Sequence, residues 1–286
     1  MKNLKKILIK RKIMGMTDLP MLSGNVVQLM RMLKDPGVPV SKVIDAINKD
    51  QSLVAQILKL VNSGYYSVRS KVNTLDHAVA LVGFVKIWEL LMSTSVMNII
   101  SGKEQNIWLH SYTSSVLLRE IIEEEKIQCS AKIQLTMLMH DIGKIVLSNF
   151  NSKAYRKANE ESIENAIPQY KLEIKHIGVH HAEVGGWLLQ AWELEDEQII
   201  PISLHHSEKE EIEANVSDWI KETALLRIVD YIDCKARGFA VDPPCDWLVK
   251  AAELDGLDLE KWYMHQQETL ASLEETAKEN MVASSQ

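Results

Sequence analysis

The sequence predicts an all-α, multi-helix fold, and three observations carry that prediction. Apolar residues recur at helical spacing with little strict alternation. Glycine (12) and proline (7) are sparse for 286 residues, which leaves few breaks. Aromatic residues, enriched in sheets, make up only 6% of the chain.

The elements follow in order. MKNLKKILIKRK at the N-terminus is short, basic and amphipathic. It reads either as a membrane-surface or targeting segment or as a terminal helix with a solvated lysine face. Asp18-Leu19-Pro20 marks a turn opening a helix, with Thr17 or Asp18 as N-cap, and Val26, Val27, Leu29, Met30 and Leu33 follow at helical spacing. Asp35-Pro36-Gly37 ends it. Ser41 is expected to cap the next helix, and Asp50-Gln51-Ser52 to begin a third carrying Leu53, Ile57, Leu58 and Leu60. Asn62 to Tyr66 has turn chemistry, Thr74 is an N-cap, and Gly83 is a bend before an apolar helical run from Ile87 to Ile100.

From Trp108 the pattern changes. A helix around Ser111–Glu124 has His110 at its start, and Leu135–Met139 leads into His140-Asp141-Ile142-Gly143-Lys144. Residues 151–170 are polar and read as a mobile connection plus a short helix. Glu173–Leu189 contains His176, His180 and His181; Ile199–Leu204 leads into His205-His206; Leu225–Ile232 reads as a buried helix bearing Asp230 and Asp233. The tail after about Thr276 is polar and expected to fray. The division expected is a basic segment 1–16, a helical subdomain 17–105, a second helical subdomain 106–275, and a tail 276–286.

The chemistry is concentrated in the second subdomain. Five of the nine histidines stand there in an ordered series with carboxylates: His110, His140-Asp141, His181, His205-His206 and Asp230. His110, His140, Asp141 and Asp230 offer an N,N,O,O set sufficient for one divalent ion with positions left for water. His181, His205 and His206 offer three more nitrogens, and Asp141 could bridge two ions through its two oxygens. Adjacent residues on a helix diverge by about 100°, so His140 and Asp141 reach one ion only where the helix ends or distorts, which Gly143 permits. Lys144, one turn beyond Asp141, is placed to pair with a phosphate. Glu173 is placed to orient a ligand. Asp233 competes with Asp230, which looks more enclosed. Such donors suit iron, manganese or zinc, one or two ions per chain.

A net charge of −7 and a pI near 5.8 argue against nonspecific nucleic-acid binding. Cys129, Cys234 and Cys245 show no CxxC spacing and read as thiols of a reducing cytosol. No apolar run is long enough for a membrane span, so a cytoplasmic location is expected.

These residues carry a resemblance. His110, HDIGK at 140–144, HAEVG at 181–185, His205-His206 and Asp230 in RIVDYID resemble the HD superfamily of metal-dependent phosphohydrolases. LPMLSGNVVQLMRMLKDP, DQSLVAQILKLVNSGYY and TLDHAVALVGF resemble the HDOD family, the HD-related output domain. Together they cover roughly residues 17–240. The resemblance implies a bacterial, all-helical regulatory output module with a signalling protein as partner. By position it makes His110, His140, Asp141, His181, His205, His206 and Asp230 metal ligands and Lys144 a phosphate contact. Many HDOD proteins have lost some of these residues, whereas this chain holds every position. After His205-His206 it reads SEKEEIEAN, without the Gly-Tyr-Pro of the branch that hydrolyses cyclic di-GMP. Two functions are therefore expected: a regulatory module with a divalent metal site of one or two ions, or an active phosphohydrolase on a nucleotide, cyclic nucleotide or other phosphoester, with Asp141 and Lys144 as catalytic residues.

Overall fold

The described residues are 2–35, 37–62, 71–101, 105–215 and 218–284 of a computed structural model, and they contain seventeen α-helices and no strand. In chain order these are α1 (Lys2–Met14), α2 (Gly24–Lys34), α3 (Val40–Asn48), α4 (Gln51–Val61), α5 (Leu75–Val82) and α6 (Phe84–Ser101). Then come α7 (Gln105–Glu125), α8 (Ile133–Met139), α9 (Ile142–Phe150), α10 (Ser152–Asn165), α11 (Gln169–His176) and α12 (His181–Ala191). The last five are α13 (Asp196–Leu204), α14 (Lys209–Asn215), α15 (Ile220–Ala236), α16 (Asp246–Ala251) and α17 (Leu259–Ser284). The all-helical prediction holds.

The chain divides into two compact units, Pro20–Lys103 and Met1–Leu19 with Glu104–Gln286. In the first unit α2 to α6 pack around an apolar core. Val26, Leu29 and Met30 of α2, Val43 and Ile47 of α3, Ile57 and Val61 of α4, and Ile87, Leu91 and Met92 of α6 are buried. Each set repeats at three or four residues, so one helix face is hidden. Each such side chain contributes about 1.5–3 kcal/mol on burial.

The caps refine the sequence reading. Ser23, not Thr17 or Asp18, caps α2 by accepting from the Val26 amide. Pro39 stands at the N-cap of α3, and Ser41 lies inside the helix. Proline's fixed φ suits a helix start, which moves the boundary upstream of the serine. Asp50 Oδ1 accepts from the Ser52 and Leu53 amides and starts α4. Thr74 caps α5, and Gly83, at φ +85°, separates α5 from α6. Of the turn expected over Asn62–Tyr66, residues 63–66 lie outside the described residues.

In the second unit α12 packs on both α9 and α13, and α15 packs on α7, α13, α16 and α17. Helix α1 belongs to this unit: Ile9 and Ile13 are buried, Lys6 pairs with Glu183 of α12, and Lys10 lies over Trp187. Ile9 and Ile13 are thus covered, while Leu4, Ile7 and Leu8 of the same helix stay exposed. Residues 151–170 are not the mobile connection expected. Asn151 caps the fourteen-residue α10 by accepting from Ala154, and Tyr155 and Ala158 anchor it in the core. Two buried positions at helical spacing were too few to stand out against the polar residues around them. Helix α17 also continues through the polar tail to Ser284. No helix among the described residues is long and apolar enough to cross a membrane.

Candidate metal centre

Helix ends converge on one point of the second unit. Helix α8 stops at Met139 and α9 starts at Ile142, so His140 and Asp141 occupy the break between them. Asp141 stands at the N-cap of α9 yet caps no amide with its side chain, which leaves both carboxylate oxygens for other partners. His181 opens α12, His205 closes α13, His110 lies in the second turn of α7, and Asp230 lies within α15.

Gly143 makes the convergence possible by a route other than the one expected. It does not break the helix; it lies inside α9 against α12. A Cβ there would fall 2.0 Å from the His181 carbonyl oxygen and 2.6 Å from the Gly185 amide. Any side chain would push α9 off α12 and carry Asp141 away from His181.

Two groups of donors result, with Asp141 between them. In the first, His110 Nε2 lies 3.1 Å from His140 Nε2, 3.1 Å from Asp230 Oδ1 and 3.3 Å from Asp141 Oδ2. In the second, His181 Nε2 lies 3.0 Å from His206 Nε2 and 3.1 Å from Asp141 Oδ1. The His205 ring sits against those of His140, His181 and His206, and its Nε2 is buried without a hydrogen-bond partner. All seven residues the sequence singles out as ligands are therefore brought together.

The outer nitrogens fix which atom faces inward. His140 Nδ1 donates to the Met137 carbonyl at 2.7 Å, and His205 Nδ1 donates to the Ile202 carbonyl at 2.7 Å. A carbonyl only accepts, so each Nδ1 carries its proton and each Nε2 presents a lone pair. His181 Nδ1 and its backbone amide both donate to Glu173 Oε2, at 2.7 and 2.8 Å. His110 Nδ1 donates to Asp233 Oδ2 at 2.6 Å. This is the arrangement that outer partners give to metal-ligating imidazoles.

His110 Nε2 faces His140 Nε2 at 3.1 Å and His181 Nε2 faces His206 Nε2 at 3.0 Å, so without an ion a proton on His110 and on His181 must stand between each pair. Donors to one ion with bonds of about 2.0–2.1 Å lie about 3–4 Å apart. The spacing and the orphaned His205 nitrogen both fit a divalent cation.

The electrostatics agree. Burial presses His110 toward its neutral form, but Asp230, Asp233 and Asp141 outweigh it and raise its pKa to about 9. Burial acts likewise on His181, and Glu173 and Asp141 raise it to about 9. His205 and His206 are held well below the usual histidine value by burial and by neighbouring imidazoles. Against burial, Lys144, His140 and His181 hold Asp141 well below the carboxylate range. Against burial, the hydrogen bond and charge of His110, with Arg237, bring Asp233 to about 2.

Lys144 Nζ lies 2.5 Å from Asp141 Oδ2. Burial opposes its charge, and the Asp141 carboxylate outweighs burial and raises its pKa. A cavity of about 230 Å³ opens onto the centre, lined by Lys144, Tyr155, Asn159, Tyr170, His206 and Asp230 among others. Tyr170 stacks on His206 with ring centroids 4.5 Å apart.

Asp233 was read from sequence only as a rival of Asp230. The two act in sequence: Asp230 faces His110 Nε2 while Asp233 holds His110 Nδ1 from behind. Thr113, Arg237 and Gln266 hold Asp233 in turn. Among the remaining histidines, His176 pairs with Glu161, His265 pairs with Glu120, and buried His180 packs against Tyr170. The three cysteines form no disulfide.

Fold and site together define an all-helical protein with a buried His/Asp cluster that could hold metal. The HDOD domain model matches residues 19–208, and the chain belongs to the HDOD family. A segment of 194 residues is 26% identical to an uncharacterised protein of Treponema pallidum (strain Nichols), covering 66% of this chain and 38% of that protein. The chain thus spans well under half of that relative. An HDOD domain protein of unknown function from Geobacter sulfurreducens superposes with a TM-score of 0.71 at 22% identity, covering 97% of this chain and 96% of the other. A protein from Shewanella amazonensis, provisionally called a phosphohydrolase, gives 0.68 at 18% identity over 91% and 93% of the two chains. One from Marinobacter aquaeolei, provisionally called a signal transduction protein, gives 0.66 at 17% identity over 94% and 63%. At these identities the likeness is one of fold.

Proposed function

We propose that this chain is a bacterial signalling protein of the HDOD type whose second unit holds a dinuclear divalent metal centre. One observation carries the metal reading: the two oxygens of Asp141 face different imidazole groups, Oδ2 toward His110 and Oδ1 toward His181. His110, His140, Asp141 and Asp230 would hold one ion; Asp141, His181, His205 and His206 would hold the other. Iron, manganese or zinc suits these donors. The regulatory role is supported by family membership, with the first unit as the surface that meets a signalling protein.

Metal analysis of purified protein tests the centre. The expected result is two ions per chain in the wild type and none or one in Asp141→Ala. Equal metal content in both proteins overturns the reading. A pull-down with surface variants between residues 50 and 90 tests the partner surface, and a partner indifferent to all of them removes it.

A second reading, hydrolysis of a nucleotide, cyclic nucleotide or other phosphoester, is favoured by the cavity beside Lys144. Bound divalent ions supply Lewis acidity and bring the pKa of water toward neutrality. Asp141 holds Lys144 charged at the cavity wall, where its ammonium can meet a phosphate oxygen. Tyr170 and Glu173 fix the His206 and His181 rings, so the ligand set does not reorganise as charge develops. Protein with two metals per chain that turns over no member of a nucleotide and phosphoester panel would falsify this second reading.

A further inference from the structure

Cys234 follows Asp230 by one helical turn on α15, so the two side chains leave the same face of the helix. Its Sγ lies 3.3 Å from Asp230 Oδ1, and it lines the same cavity as the candidate ligands. Donor atoms of His110, Asp230 and Cys234 all lie within 4.8 Å of one another. The sulfur therefore stands at the edge of the first donor group, on the side open to the cavity. That this centre attracts a cation is indicated independently by the buried, unpartnered Nε2 of His205 and by the facing His110 and His140 nitrogens.

We propose that Cys234 is a sulfur ligand of the ion held by His110 and Asp230, which makes this half of the centre a mixed nitrogen, oxygen and sulfur site. The inference rests on the metal reading above. Binding would break the S–H bond, release its proton to the water of the cavity and form a metal–sulfur bond of about 2.3 Å for zinc. Burial and the Asp230 carboxylate keep the thiol protonated until a cation arrives, and the cation reverses that balance. A thiolate in the set tilts selection toward zinc and ferrous iron and away from manganese and magnesium.

The test uses the full chain, stripped with chelator and reloaded with cobalt(II). The wild type is expected to show an intense sulfur-to-cobalt charge-transfer band in the near ultraviolet. Cys234→Ser and Cys234→Ala should lose that band yet keep visible cobalt d–d absorption, while Cys129→Ser and Cys245→Ser keep the band. Zinc affinity should fall in the Cys234 variants by about a hundredfold or more, the upper end of the loss caused by removing an outer partner. Cobalt uptake without the band, or a band that survives Cys234→Ser, overturns the sulfur ligand and leaves the His/Asp centre standing. No cobalt uptake by the wild type overturns both.

Discussion

The two units bury different things. Among the described residues of Pro20–Lys103, the buried side chains are apolar except Glu89, which pairs with Lys86. The other unit buries His110, Thr113, His140, Asp141, Glu173, His180, His181, His205, Asp230, Asp233 and Gln266. An ionised or unpaired polar group costs several kcal/mol to bury, so a fold tolerates such a cluster only when its members satisfy one another or a bound ion. Here they satisfy one another on the outer side, through Met137, Ile202, Glu173 and Asp233, while on the inner side the protons of His110 and His181 stand between facing donor atoms and His205 Nε2 has no hydrogen-bond partner. The first unit is organised by area removed from water. The second is organised around a His/Asp cluster that could hold metal.

Gly143→Ala should separate these two kinds of order most sharply. The new Cβ would fall 2.0 Å from a backbone oxygen, a contact no rotamer change relieves. Overpacking of this kind costs about 1–3 kcal/mol or more, and here it moves Asp141 as well. The expected outcome is loss of both ions by metal analysis together with a lower Tm, while limited proteolysis leaves the first unit intact. Full metal content in this variant would mean that the α9–α12 contact does not set the site.

Acidity acts on the second unit alone. His110 and His181 have pKa values raised to about 9, so each carries a proton that a metal must displace at neutral pH. Metal affinity should therefore rise with pH up to about 9, by as much as about tenfold per unit for each proton displaced. In chelator-treated protein the sign is opposite. The raised histidines contribute stability that is complete below their ordinary value of 6.5 and is lost as pH climbs through about 9. Isothermal titration at several pH values, with thermal melts of stripped protein, checks both directions.

The helical fold was legible because a period of three to four is a local signal. So was the ordered set of candidate ligand residues, because five of the nine histidines fall in it beside aspartates. Geometry that depends on contact between distant segments was not legible. Nothing near residue 143 announces that its missing side chain makes room for the His181 carbonyl. Helix α10 was hidden because most of its residues face water, and only Tyr155 and Ala158 reveal its buried face. Asp233 was passed over because sequence placed it one turn from Asp230 on the same helix, and only the fold shows His110 lying between them. Cys234, the next residue, looked like an ordinary buried thiol for the same reason.

Asp233→Asn tests the outer side of the site. The amide keeps an oxygen for His110 Nδ1 but removes the charge that Arg237 and Gln266 hold in place. Outer partners of this kind are worth about 10–100-fold in metal affinity. The expected result is weaker binding at unchanged stoichiometry, read by competition with a chromophoric chelator. Unchanged affinity would reduce the Asp233 network to packing.

The smallest effect belongs to the first unit. Thr74 accepts from the His77 amide at 3.2 Å and caps α5. Thr74→Ala removes that acceptor, and the amide turns to water at a cost of about 1 kcal/mol. Because α5 packs on α3, α4 and α6, all within its own unit, the loss should appear as a lower denaturation midpoint with metal content unchanged. The diagnostic outcome is the combination. If Thr74→Ala also lowered metal affinity, a helix cap in the first unit would be coupled to the His/Asp centre of the second, and the division into an apolar core and a core built around a His/Asp cluster would have to give way to a single cooperative structure.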